Sequence, residues 1–193
     1  MNRWKVLLAL GITFSVSALF IVYTLASHRS ETASASATAS LKVGTSLGDT
    51  APDFQLTRID GAQVGLSDLR GQPAVLVFWT AWCPVCREEA PSINEVAARF
   101  EPRDVRVLGI NIKDSEARTE AGIKEFGIRY TVARDGDATT ARRYKVTGTP
   151  TIVFLDRQGV VRYFGNELPQ DYSERLDALI SEQFVVPPSG GSS

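Results

Sequence analysis

The sequence predicts an α/β domain, a sheet with helices on both faces, on the strength of three observations. Two runs, residues 74–79 (Ala-Val-Leu-Val-Phe-Trp) and 105–112 (Val-Arg-Val-Leu-Gly-Ile-Asn-Ile), have strand length and are largely apolar without strict alternation, as strands buried on both faces do. Segments of helical period separate and follow them. The chain has 193 residues and no internal repeat, enough for one ordinary domain with appendages.

The remaining elements follow in order. Residues 83–100 read as a helix with Ile93, Val96, Ala97 and Phe100 on one face, and Pro91 is placed to kink it. Residues 115–126 form an amphipathic helix, which Asp114 or Ser115 is suited to cap. A short strand at 131–133 and a short helix at 138–144 come next, then a strand at 151–155. Arg157-Gln158-Gly159 turns the chain into a hairpin partner at 160–164, and residues 171–184 close the domain as a helix. Phe78 and Trp79 are expected in the core, and Arg142-Arg143 on a solvated face.

The ends differ in kind. Arg3 and Lys5 precede residues 6–26, an apolar, uncharged stretch long enough to span a bilayer at about 1.5 Å per residue. It reads as an uncleaved signal anchor with residues 1–5 in the cytoplasm; the competing reading is a signal peptide cleaved after small residues near Ala26 or within 33–39. Either way the rest of the chain is exported. Residues 27–46 are dominated by Ser, Ala and Thr and read as a flexible tether with a reach of roughly 25 Å. The domain occupies 47–186, and residues 187–193 read as a disordered tail.

The chemistry is concentrated at Trp82-Cys83-Pro84-Val85-Cys86. These are the only two cysteines, and they sit where the 74–79 strand gives way to a helix. A helix N-terminus carries partial positive charge and free N–H groups, which stabilise a thiolate at Cys83. Pro84 suits the first helical turn, where its missing N–H removes no bond. Cys86 lies about one turn on, within reach to close a disulfide or resolve a mixed one. A structural disulfide is the bland alternative, but so small a loop adds little chain-entropy stabilisation. Export to an oxidising compartment means the pair must be kept in a chosen redox state.

Charge and composition exclude other classes. Lys and Arg number 21 against 22 Asp and Glu, and there is no basic stripe for nucleic acid. The one histidine, His28, is far from the cysteines, so a four-ligand zinc site is not expected.

Four segments together carry a family likeness. They are Gly48-Asp49-Thr50-Ala51-Pro52-Asp53-Phe54, Gly65-Leu66-Ser67-Asp68-Leu69-Arg70-Gly71, residues 75–86, and Gly148-Thr149-Pro150-Thr151 with the apolar residues after it. They resemble membrane-anchored, thioredoxin-like thiol–disulfide oxidoreductases of the TlpA/ResA type, relatives of the AhpC/TSA redoxins. The resemblance implies a thioredoxin-like fold, a central mixed sheet flanked by helices, preceded by one transmembrane helix. It makes Cys83 the exposed nucleophile and Cys86 the resolving thiol. Pro150 resembles the family's cis-proline, presenting the Thr149 backbone to substrate, and Trp82 resembles the aromatic beside the site. Glu89 matches a glutamate linked to proton handling in part of the family.

The chain also departs from thioredoxin itself. Pro84 and Val85 replace Gly-Pro between the cysteines, positions that tune the potential. Val77 stands where thioredoxin has a buried aspartate, which leaves Glu89 as the candidate proton acceptor for Cys86.

The function implied is thiol–disulfide exchange on exported proteins, with no cofactor beyond the redox-active Cys83–Cys86 pair. The favoured direction is reductive, as in cytochrome c maturation, fed by a transmembrane thiol electron donor from a single-pass anchor in a bacterial inner membrane. The alternatives are an oxidant or isomerase, a peroxidase or a copper-binding module. For the peroxidase, Thr80-Ala81-Trp82-Cys83 repeats the Thr-x-x-Cys of peroxiredoxins, but Leu76 stands where they carry proline. For the copper module, thiolates suit Cu(I), but the spacing is narrow and the domain has no histidine.

Overall fold

A computed structural model describes residues 42–181. The expected anchor (6–26) and tail (187–193), and most of the expected tether, lie outside the described residues. Among those described, no helix is long and apolar enough to cross a membrane. Ordered contacts begin before residue 47: Val43 bridges Thr50, and the Gly44 N–H donates to the Thr50 carbonyl at 2.9 Å.

The sequence signals no element before residue 74, yet the chain there forms β1 (Gln55–Arg58), β2 (Gln63–Gly65) and the one-turn helix α1 (Leu66–Leu69). These pieces are too short to show a period, and only Leu56, Val64, Leu66 and Leu69 in them are buried apolar residues. The elements after them follow expectation closely. They are β3 (Ala74–Trp79), α2 (Pro84–Phe100), β4 (Arg106–Ile112), α3 (Glu116–Phe126), β5 (Thr131–Asp135), α4 (Thr139–Arg143), β6 (Thr151–Leu155), β7 (Val161–Gly165) and α5 (Tyr172–Ser181). Helix α2 continues through Pro91. Strand β5 runs two residues further than expected, to Asp135, whose buried carboxylate accepts the Thr140 and Ala141 N–H groups at 3.1 and 2.7 Å.

Among the described residues the strands form one mixed sheet in the order β2-β1-β5-β4-β3-β6-β7. Strand β3 is central, parallel to β4 and antiparallel to β6, and β4 is parallel to β5. All six β3 residues are buried. Their alternation divides the core. Val75, Val77 and Trp79 join the cluster under α2 and α5, with Ile93, Val96, Phe100, Leu176 and Leu179. Leu76 and Phe78 join the cluster under α1 and α4, with Leu66, Ala141 and Tyr144. Each large apolar side chain so buried contributes about 1.5–3 kcal/mol relative to exposure.

Strand β4 contains a tight point. A Cβ added to Gly109 would lie 2.9 Å from Tyr130 Cε2, 3.2 Å from Trp79 Nε1 and 3.3 Å from Val132 Cγ2. These are ring and branched atoms in a packed interior, which yield little. Gly109→Ala is expected to destabilise the fold by about 1–3 kcal/mol. Urea unfolding would show a lower midpoint at unchanged slope; an unchanged midpoint would mean that the sheet relaxes freely there.

Candidate functional site

The parallel strand β3 delivers its C-terminal end to the start of α2, and the turn between them carries the site. The Cys83 N–H donates to the Thr80 carbonyl at 3.2 Å, closing the turn. Cys83 is the N-cap of α2, with extended backbone at φ −88° and ψ 110°, and Pro84 occupies the first turn. The Cys86 N–H donates to Cys83 Sγ at 3.1 Å. The Cys83 sulfur thus fills the capping role that a serine or aspartate oxygen plays elsewhere, and an N–H so placed would stabilise a thiolate. The two cysteines form a disulfide, with Cα atoms 5.3 Å apart.

A second segment closes over this end. The loop between α4 and β6 brings the Thr149 carbonyl oxygen to 3.3 Å from Cys83 Sγ. The Thr149–Pro150 peptide bond is cis. Thr151 Oγ1 donates to the Gly148 carbonyl at 2.7 Å, and Asn166 Nδ2 donates to the Pro150 carbonyl at 2.9 Å, so this loop is pinned on both sides. Cys83 and Thr149 are 66 residues apart in sequence, and only the antiparallel pairing of β6 with β3 joins them.

The expectation of an exposed nucleophile needs correction. Cys83 and Cys86 are only 4% and 5% exposed. What projects outward is the pair of flanking residues, Trp82 at 70% and Val85 at 52%. The Cys83 sulfur by contrast lies against the Thr149 loop and the helix start.

Behind the disulfide, Cys86, Glu89, Val77, Tyr130 and Pro150 line a small cavity of about 10 Å³, the size of one water. Val77 supplies no acid there. Glu89 is the carboxylate on that wall, and its Oε1 accepts the Leu168 N–H at 3.2 Å. Burial pushes the Tyr130 phenol well above its ordinary pKa, so it stays protonated. Thr80 Oγ1 is buried without a hydrogen-bond partner, so it does not hold Cys83 Sγ. Among the described residues no group of three or more His, Cys, Asp or Glu side chains gathers to hold a metal.

Sequence reasoning missed the support beneath the turn. Ser115 caps α3 by accepting the Arg118 N–H at 3.2 Å, whereas Asp114 turns away and accepts the Ala81 N–H at 2.7 Å. Arg118 Nη2 donates to the Ala81 carbonyl at 2.7 Å. No local sequence signal marks these pairings, which span 33 and 37 residues.

The sequence pattern of the AhpC/TSA family matches residues 47–164, a span that contains both cysteines and the Thr149–Pro150 loop. The chain belongs to that family. Within it the chain is of the thioredoxin-like TlpA/ResA type. It is 30% identical over 140 residues to thiol-disulfide oxidoreductase ResA of Geobacillus kaustophilus, covering 72% of this chain and 80% of the relative. A solved structure of a secreted Mycobacterium tuberculosis disulfide oxidoreductase, described as homologous to E. coli DsbE, is 32% identical with a TM-score of 0.55. The match covers 65% of this chain and 93% of that one. The thioredoxin domain of a Bacteroides vulgatus thiol-disulfide oxidoreductase, at 21% identity and a TM-score of 0.64, shares the fold over 70% of this chain and 98% of its own.

Trp82 offers a test of what the exposed rim does. Trp82→Ala is expected to change stability by no more than about 0.5 kcal/mol, since the residue is 70% exposed. Exchange with a folded protein disulfide should slow several-fold, while exchange with a small aromatic disulfide stays near the original rate. A drop in the melting temperature with both rates preserved would assign Trp82 to packing instead.

Proposed function

We propose that this thiol–disulfide oxidoreductase works as a reductant of disulfides in exported proteins, including those that must present free thiols for haem attachment. The reductive direction follows the resemblance to the TlpA/ResA type, since a stabilised thiolate by itself raises the potential. The observation that carries the exchange chemistry is the position of Cys83 Sγ. It caps α2, accepts the Cys86 N–H at 3.1 Å and sits 3.3 Å from the Thr149 carbonyl, where an incoming disulfide would be bracketed. In the dithiol form the Cys83 thiolate attacks one sulfur of the substrate disulfide. That S–S bond breaks, a mixed disulfide forms, and the departing substrate sulfur takes up a proton. Cys86 then loses its proton and attacks Cys83 Sγ. The Cys83–Cys86 disulfide forms, the second substrate sulfur leaves and is protonated, and two electrons have passed to the substrate. Glu89, on the cavity wall shared with Cys86, is the acceptor for the Cys86 proton. No cofactor enters this cycle.

Recharging the pair requires electrons from outside the domain. A transmembrane thiol carrier would supply them, and an anchor at 6–26 followed by a Ser/Ala/Thr tether would hold the domain at that membrane surface, on the extracytoplasmic side. The likeness to a ResA and to a secreted DsbE homologue supports this placement.

The deciding experiment equilibrates the full chain against glutathione and dithiothreitol buffers. A potential near about −270 mV or below is expected for a reductant, and a value towards about −120 mV would make the protein an oxidant or isomerase and end the haem-attachment reading. Cysteine variants test the roles. Cys83→Ser is expected to abolish exchange, and Cys86→Ser to accumulate mixed disulfides with exported proteins in cells. Trapping by Cys83→Ser alone would reverse the assignment of nucleophile. Glu89→Gln should slow the second step more than the first in stopped-flow reduction of a protein disulfide.

A further inference from the structure

The peptide before Trp82 is held in an unusual way. Residues Thr80 to Cys83 form a turn closed by the Cys83 N–H on the Thr80 carbonyl, and Ala81 is its corner. A corner residue normally gives its own N–H and carbonyl to water. Here both are taken by side chains of one neighbouring segment. Asp114 Oδ2 accepts the Ala81 N–H at 2.7 Å, and Arg118 Nη2 donates to the Ala81 carbonyl at 2.7 Å.

The holding side chains are themselves fixed. The same Asp114 oxygen accepts from Asn111 Nδ2 at 2.9 Å. Asn111, fully buried at the end of β4, accepts from Thr119 Oγ1 at 2.8 Å. Helix α3 then presses on the corner directly. A Cβ on Gly122 would lie 2.7 Å from Ala81 Cβ and 3.2 Å from Ala81 Cα. Hydrogen bonds to charged groups are the stronger ones, and two of them converge on a single residue, Ala81, holding the peptide units on both sides of it two residues before Cys83.

We propose that Asp114 and Arg118 are positioning residues for the exchange reaction, clamping Ala81 so that Cys83 Sγ is kept on the N-terminus of α2. The clamp acts through geometry. Cys83 Sγ is stabilised as a thiolate only while it stays within reach of the Cys86 N–H. Releasing either end of the Ala81 peptide lets the turn loosen and the sulfur drift from that donor. The thiolate then loses stabilisation, and the balance between protein dithiol and glutathione disulfide moves toward the protein disulfide with reduced glutathione. The inference rests on dithiol–disulfide exchange at Cys83. Were the unaltered chain to show no exchange, that reading would fail before this one is reached.

The test compares the full chain with Asp114→Ala and Arg118→Ala. The glutathione equilibrium constant, the rate of reduction of a small disulfide and the melting temperature are measured for each. The control is Asn94→Ala, which removes a structural clamp elsewhere: Asn94 Nδ2 donates to the Gly127 carbonyl at 2.8 Å, and its Oδ1 accepts the Arg129 N–H at 2.9 Å. Both test variants are expected to shift the equilibrium toward the disulfide by about tenfold, equivalent to about 30 mV, and to slow the small-disulfide reaction. Arg118→Lys should recover most of the shift, since an ammonium can still donate to the Ala81 carbonyl. Asn94→Ala should lower the melting temperature yet leave both redox readings within twofold. The proposal is overturned if Asp114→Ala and Arg118→Ala lose only thermal stability, or if Asn94→Ala shifts the equilibrium equally. Should the alanine variants not fold, Arg118→Met keeps the packing stem without the donors, and an equilibrium constant within twofold of the original would then overturn it.

Discussion

Strand β3 is the constraint on which the rest depends. It is buried along its whole length, parallel to β4 on one side and antiparallel to β6 on the other. A strand so enclosed has no freedom of register, because a slip of one residue would exchange Trp79 and Phe78 between the two cores. Its C-terminal end is therefore a fixed point. The chain leaves that point through a four-residue turn and enters α2 at Cys83. The Cys83 sulfur inherits its position from a strand buried along its whole length.

Three surroundings meet at this sulfur. The start of α2 supplies the N–H that favours a thiolate. The Thr149 loop supplies a carbonyl oxygen and a wall. The segment after β4 supplies the two side chains that hold the preceding peptide. Each comes from a different crossover or hairpin, and each is anchored by its own bonds, such as Asn166 on Pro150 and Asn111 on Asp114. Redox sites need this over-determination, because thiolate stability depends on distances of a few tenths of an ångström to a donor. Trp82 and Val85 are the exception, exposed to solvent beside the buried sulfurs.

The rear of the site has its own logic. With Val77 in the strand, the residues behind Cys86 are apolar apart from Glu89, the Tyr130 phenol and the Trp79 indole N–H. The carboxylate on this wall, Glu89, lies on the first turns of the helix and accepts the Leu168 N–H of the loop before α5. The cavity between is too small for more than one water.

Much of this was legible in the residues themselves. The apolar run of β3, the helical period of α2 and α3 and the Cys-Pro-Val-Cys at their junction are local signals, and local signals suffice for elements and for a helix-capping thiol. The resemblance of Gly148-Thr149-Pro150-Thr151 to a known loop pointed to the second wall. The short β1, β2 and α1 were not legible, because three or four residues carry no period and their order comes from pairing with β5 and from burial under the sheet. The sequence left the cap of α3 to Asp114 or Ser115; Ser115 takes it, and the fold brings Asp114 to Ala81. The burial of Cys83 likewise depends on a loop 66 residues away. The sequence by itself determined which chemistry is present, since two thiols at a strand-to-helix junction have few other uses. Only the tertiary structure decided how that chemistry is held, because the hydrogen bonds that position it join residues tens of positions apart, and such contacts leave no trace in a local pattern.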